Sequence, residues 1–478
     1  MPSRSSFLFI AIALLSAVGE VFAADEAQIV PLAITPATEP VPSLQYQLLP
    51  KHLDRRPGNA AVRYERAALQ YRPEAKVDTD VAEWLDLPFA EFAQPAQLKK
   101  MSTESEKVFA ELRRASQLES CHWELPLREQ MFFEILLPEV QELRRLARYV
   151  ALKARREIAT KRFDEAVATL QVGYGLARHT AEGPTLIHGL VGVSITGLMN
   201  SVLFDLAQSP GAPSLYWALT FQPRPLIDLR PGMEAEMSGL FLSFSELINI
   251  GREDSGTVDA PAAVNRLIDT LTGMSGMIEG SPPGGEIIKL SSKVALYAMA
   301  AVRKLEMQDY LKACRWPAAR VDKLSDAELL LAFTRVKYEE LRDLQFRLLS
   351  LPYWQTTAGS AAANERLRSA GKKFEEVLPF AALILPAVGS VHHSSAKSER
   401  RLDVLRIVEA LRLYAGKHDG ALPPSLDAVT DVPVPPLDLI TGKPFVYALA
   451  GKTARLTLPD ENRGEKKTLV YEITVQGK

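Results

Sequence analysis

Between residues 136 and 183 apolar side chains recur every three or four positions. Leu143, Leu146, Val150, Ala154 and Ile158 form one such series. After a break at Thr160-Lys161-Arg162 it resumes with Phe163, Ala166, Val167, Leu170 and Tyr174. This spacing puts each series on one face of an α-helix, so the stretch predicts two amphipathic helices folded as a hairpin. Residues 185–207 are apolar almost all round, which predicts a helix deep in a core. Their length also admits a membrane span, but His188, Asn200 and Asp205 interrupt them and favour the core reading. Further helices are expected at 59–71, opened by an Asn59 cap, at 98–118 and at 289–307. Two more are expected at 324–354, where Ser325 precedes acidic residues, and at 398–416, with Leu402, Leu405, Val408, Leu411 and Tyr414 on one face. After a proline-rich loop, the runs PFVYAL, ARLTL and TLVYEITV read as short strands. The fold class is therefore mainly α, an irregular helical-hairpin domain with a small C-terminal α+β segment.

The N-terminal residues form a different pattern. Arg4, an apolar run from Phe7 to Val18, and Val21-Phe22-Ala23 follow one another as in a secretory signal peptide. Residues 1–23 are read as that signal and 24–56 as an extended Pro-rich leader. The helical domain takes 57–395 and the α+β tail 396–478. Export to the periplasm or cell envelope follows, and no stable transmembrane span is expected after cleavage.

Charge and cysteines narrow the picture. A net charge of −2 argues against a nucleic-acid binder, which would carry a basic excess. The two cysteines, Cys121 and Cys314, each precede a tryptophan by two residues, with Pro126 and Pro317 close behind, so each is expected where a helix begins or ends. In an oxidising compartment they could form a disulfide worth on the order of 5 kcal/mol, or remain two separate buried thiols. Both readings stay open.

No catalytic motif is complete. GVSITG (192–197) resembles a nucleophile elbow, but Thr196 stands where the second glycine must be. His392-His393 lacks further ligands at metal spacing and reads as a solvated loop pair. His179 and His188 straddle a turn at Gly183-Pro184 and could meet as a hydrogen-bonded core pair. The basic run Arg144, Arg145, Arg148, Lys153, Arg155, Arg156, Lys161 and Arg162 reads as a solvated face. No catalytic residue, cofactor or metal is assigned.

Three resemblances add to this. RFDEA at the start of the second hairpin helix resembles the second half of a tetratricopeptide unit, which makes the helical domain partly tetratricopeptide-like; a solenoid would need three or more repeats. From CxW through LARHTAEGPTLIHGLVG and PRPLIDLRP, and more weakly to the end, the chain resembles an uncharacterised family of exported proteins from planctomycete-type bacteria, which brings no activity with it. The tail, RIVEALRLYAGKHDGALPPSLDAV followed by PPLDLITGKPFVYAL, is similar to the C-terminal part of type II secretion pseudopilins. That similarity implies a fold suited to protein contacts; some members bind calcium in this loop region, where Asp427, Asp431 and Asp438 could supply oxygen ligands, but three loop carboxylates read first as solvated. The chain departs from pseudopilins at its N-terminus, where it has an ordinary signal instead of their processing motif. The expectation is a non-enzymatic exported scaffold or protein-binding protein, with an envelope partner held by the tail. The alternatives are a hydrolytic enzyme with a dispersed active site and a secretion-system accessory.

Overall fold

The computed structural model describes residues 28–72, 75–100, 106–132, 135–250, 258–275, 297–298, 300–374, 386–462 and 465–476. The signal expected at 1–23 and most of the helix expected at 289–307 lie outside them. In chain order the principal elements are β1 (Gln28–Ile34), β2 (Arg56–Asn59), α1 (Ala61–Gln70), α2 (Ala75–Asp86), α3 (Glu106–Ser116) and β3 (Leu118–Ser120). There follow α4 (Pro138–Ala159), α5 (Phe163–Ala181), α6 (Leu186–Ala207), α7 (Arg230–Ser243), α8 (Ala260–Ser275) and α9 (Lys304–Ala313). The last are α10 (Asp326–Phe346), α11 (Tyr353–Phe374), α12 (Pro386–Lys417), β4 (Val446–Ala450), β5 (Thr453–Asn462) and β6 (Glu465–Val475). The fold is mainly helical with a small C-terminal sheet, as the periodicity predicts.

The residues cluster into two units. One takes Leu125–Leu136 and Glu234–His392; the other takes Val21–Glu124, Leu137–Met233 and His393–Lys478. This differs from the linear division at residue 395. Leu402, Leu405 and Val408 of the tail helix share one buried core with Leu146 of α4, Leu170 of α5 and Met199 of α6. An amphipathic helix must bury its apolar face, and here that face is buried against the α4–α6 helices.

In this larger unit α4 and α5 pair as the expected hairpin, with Pro138 at the first turn of α4, where its missing N–H costs nothing. Thr185 caps α6 by accepting from the His188 amide. Although α6 is long and apolar enough to cross a membrane, most of it is buried inside this unit. Arg155 and Lys153, expected on a solvated face, are buried instead. The cause is that α4 is packed by α5 and α6 and also by α1 and α2, so it has more than one inner face.

The sheet runs in the order β1-β6-β5-β4. Its hairpins β4–β5 and β5–β6 match the three strands read from the sequence. The leader, however, is not a free extended segment. Residues 28–34 pair parallel with β6, with Leu32 beside Ile473 and Ile34 beside Val475, and both Leu32 and Ile34 are buried. Pro31 is tolerated because β1 is an edge strand with no neighbour on its outer side. Beyond β1 the Ala37 amide donates to the Arg412 carbonyl at 3.0 Å, and Gly416 of α12 lets the Ala37 backbone approach. The β4–β5 turn places Gly451 at φ 63°, a left-handed conformation that glycine adopts without strain.

The smaller unit is helical. Ser325 opens α10 with a reciprocal capping box to Glu328. Tyr338 of α10 is buried edge-on against Phe241, with ring centroids 5.9 Å apart. Arg342 and Arg335 of the same helix donate to the Met237 and Ile248 carbonyls.

Candidate functional site

A cluster of chemically versatile side chains lies in the larger unit, around Trp123. The short parallel pairing of β2 with β3 delivers Cys121 and Trp123 directly after Ser120. This first CxW site therefore follows a strand rather than a helix end. The Cys121 amide donates to Glu182 Oε2 at 2.7 Å, and the Trp123 indole N–H donates to the His179 carbonyl at 3.1 Å. The indole also lies between Tyr64 of α1 and His188 of α6, at 6.4 Å from each ring.

His179 and His188 both reach Trp123, but each has its own hydrogen-bond partner instead of forming the expected pair. The Tyr64 hydroxyl lies 2.9 Å from His179 Nδ1, with both side chains fully buried. Burial holds the His179 imidazole far below its usual range, to about 3. The neighbouring Arg178 adds to this depression, and the Leu118 carbonyl opposes it. His179 is thus neutral at ordinary pH. Burial likewise pushes the Tyr64 hydroxyl and the Cys121 thiol upward, with Glu182 adding to both effects. These groups keep their protons.

His188 is flanked on both ring nitrogens. Thr185 Oγ1 lies 2.8 Å from Nδ1, and Glu139 Oε1 lies 3.3 Å from Nε2. Glu139 sits in the first turn of α4 and reaches solvent in part, whereas His188 is wholly enclosed. The ring fits only because residue 183 is glycine, since a Cβ there would come within 2.2 Å of His188 Cδ2. The hydroxyl and imidazole are hydrogen-bonded, and the carboxylate stands at ion-pair distance from the ring without a hydrogen bond to it. The Thr185 hydroxyl is at the same time the α6 cap.

The other candidates are dispersed. Cys121 and Cys314 are both free; Cys121 is buried, whereas Cys314 is exposed at the C-terminal end of α9. Each stands as a free thiol, and only Cys121 is buried. His392 and His393 lie within the helix α12, not in a loop, and His392 packs edge-on against Tyr353 at 5.3 Å. GVSITG is interior to α6, so no strand-to-helix elbow forms there. Asp438 is buried against Arg400 at 2.8 Å and accepts from the Ile440 amide, and Asp431 pairs with Lys417 at 2.6 Å. Among the described residues no three His, Cys, Asp or Glu side chains gather as a metal site.

Sequence reading missed two buried arginines that bind segments together. Arg155 meets Asp205 at 2.7 Å, donates to the Trp84, Leu85 and Leu87 carbonyls, and lies 4.4 Å from the Phe92 ring centre. Arg412 meets Glu409 at 2.7 Å and donates to the Thr35, Ala212 and Pro213 carbonyls, while Glu409 accepts from the Leu215 amide. Nothing in the periodicity distinguishes such arginines from solvated ones.

Compared with protein-family models, curated proteins and solved structures, the chain matches none.

Proposed function

We propose that this protein is an exported, non-enzymatic scaffold of the cell envelope that binds another protein through its C-terminal α+β segment. The observation that carries the reading is how that segment is mounted. Buried Arg412 ties the tail helix to the Thr35, Ala212 and Pro213 carbonyls, and buried Arg400 ties the same helix to Asp438 and to the Pro459 carbonyl of β5, which presents the sheet as a fixed platform. A preorganised surface binds without the cost of ordering itself. The pseudopilin-like tail and the tetratricopeptide-like α4–α5 hairpin are both of a kind suited to protein contacts. The signal at 1–23 supports a periplasmic or envelope location, and a role beside a secretion system is a narrower form of the same reading.

Crosslinking capture from the native envelope tests it. The whole chain is compared with a Val446→Glu/Ala448→Glu variant, which charges exposed positions of the sheet. A partner captured by the first and lost from the second supports the reading. Equal capture by both, or capture by neither, overturns it. Truncation near residue 395 is unsuitable, because it would strip β1 of β6.

The row Thr185–His188–Glu139 favours a second reading, a hydrolase. In it the Thr185 oxygen bonds to an ester carbonyl carbon while its proton moves to His188 Nδ1 and Glu139 steadies the imidazolium. That proton leaves with the alcohol, and water then frees the acyl group. Turnover of a p-nitrophenyl ester by the whole chain, abolished in Thr185→Ala, would establish it; no turnover would dismiss it.

A further inference from the structure

Resting on the protein-binding reading, we infer that the outer side of β4 accepts an extended segment of a partner polypeptide as a fifth strand, apolar across its middle and acidic at both ends. The two edges of the sheet differ. The β1 edge carries Pro31 in its middle, which removes an amide donor, a common protection against unwanted pairing. The β4 edge reads Val446-Tyr447-Ala448-Leu449-Ala450, with no proline and no charge. Its register with β5 is continuous over all five pairs, so no bulge turns it aside. Among the described residues no strand and no backbone hydrogen bond meets its outer side.

Side chains along β4 divide by face. Tyr447 and Leu449 pack toward the core, and the Tyr447 hydroxyl donates to the Pro423 carbonyl at 2.8 Å, which holds the strand in place. Val446, Ala448 and Ala450 face outward and are exposed, small and apolar. An added strand would gain main-chain hydrogen bonds from the edge and apolar contact from this face.

Charge selects the occupant. Lys443 and Lys452 are exposed just beyond the two ends of β4, and neither has an ion-pair partner among the described residues. A second copy pairing antiparallel by two-fold symmetry would bring Lys443 of one chain toward Lys452 of the other at both ends, a repulsive arrangement. Such a pairing also covers only a few hundred Å² per copy, against about 800 Å² in a stable interface. A partner segment with a carboxylate at each end meets both lysines favourably.

The test uses the full chain and a seven-residue peptide of alternating valine and threonine with aspartate at each end. Hydrogen exchange at the amides of residues 446–450 is the readout. The expected result is saturable slowing of about tenfold or more. A peptide with lysine at each end should bind about tenfold more weakly at low salt, with the gap closing as salt rises. Methylating the peptide nitrogens that face β4 should abolish the effect. No slowing by the aspartate peptide, equal slowing by the methylated one, or indifference to the end charges overturns the inference. So does slowing without peptide that grows with protein concentration, which would make a second copy the occupant. Envelope capture that survives saturation with the peptide yet is lost in the Val446→Glu/Ala448→Glu variant would leave the protein-binding reading intact and remove this edge from it.

Discussion

Arg155 of α4 and Asp205 of α6 face each other at 2.7 Å with both side chains largely buried. The pair also holds the end of α2, because three further guanidinium N–H groups donate to the Trp84, Leu85 and Leu87 carbonyls. Arg155→Ala should therefore cost about 3–5 kcal/mol, since it leaves a buried carboxylate and a set of carbonyls unmatched. Urea unfolding followed by circular dichroism measures this, and a loss below about 1 kcal/mol would contradict it.

Asp205 also sets a pH dependence. Burial raises its carboxyl to about 6 despite Arg155, above the ordinary 3.8. The folded state thus binds the proton more tightly than the unfolded state does. The resulting stabilisation is full below about pH 4 and is lost as pH rises through about 6. Relative to Asp205→Asn, whose side chain does not titrate, the wild type should gain on the order of 2–3 kcal/mol between pH 7 and pH 4. Unfolding midpoints of the two proteins across that range give the difference directly. A constant difference would show that Asp205 does not titrate there.

His179 has the opposite sign. Its folded value of about 3 lies below the ordinary 6.5, so its contribution is present above pH 6.5 and declines as pH falls toward 3. Its ring proton signals should not move between pH 8 and pH 5. Tyr64→Phe, which removes the hydroxyl from Nδ1, should cost about 1–3 kcal/mol. A His179 titration midpoint near 6.5 in the wild type would refute the buried neutral assignment.

The thiols should separate cleanly. Iodoacetamide on the native protein should add one group, at Cys314, and a second at Cys121 only in denaturant. An intact mass before and after denaturation reads both numbers. A native protein that takes up no reagent would indicate that Cys314 is protected.

Gly416→Ala should loosen the N-terminal strand. The added methyl would meet the Ala37 carbonyl oxygen, a backbone atom that can move only if the chain after β1 moves. The expected result is faster proteolysis between residues 28 and 40 and a loss of about 1–3 kcal/mol. Unchanged proteolysis would mean that α12 yields instead.

Legibility followed sequence distance. Helices α4 and α5 are readable almost to their ends because an apolar stripe and the break at Thr160-Lys161-Arg162 are local signals, and α6 because its sequence is apolar almost all round. The strand at 28–34 is not, since its partner lies at the far end of the chain and QIVPLAI with a central proline looks like any extended segment. At the candidate site the two histidines could be placed near one turn. Their true partners, Tyr64, Trp123 and Glu139, come from elements whose approach no local pattern reveals. The burial of Arg155 escapes the sequence for a related reason: amphipathic periodicity assumes one buried face, and α4 has more.

The pairing of β1 with β6 also bears on the order in which the molecule can be made. Gln476 donates its side-chain amide to the Ala33 carbonyl across a sequence separation of 443 residues. A ribosome releases Ile34 long before Ile473 exists, so the first strand stays without its neighbour for nearly the whole of synthesis. Contacts this distant in sequence form slowly. A chain arrested anywhere short of β6 leaves Leu32 and Ile34 uncovered, a natural handle for factors that keep a polypeptide unfolded until it is complete.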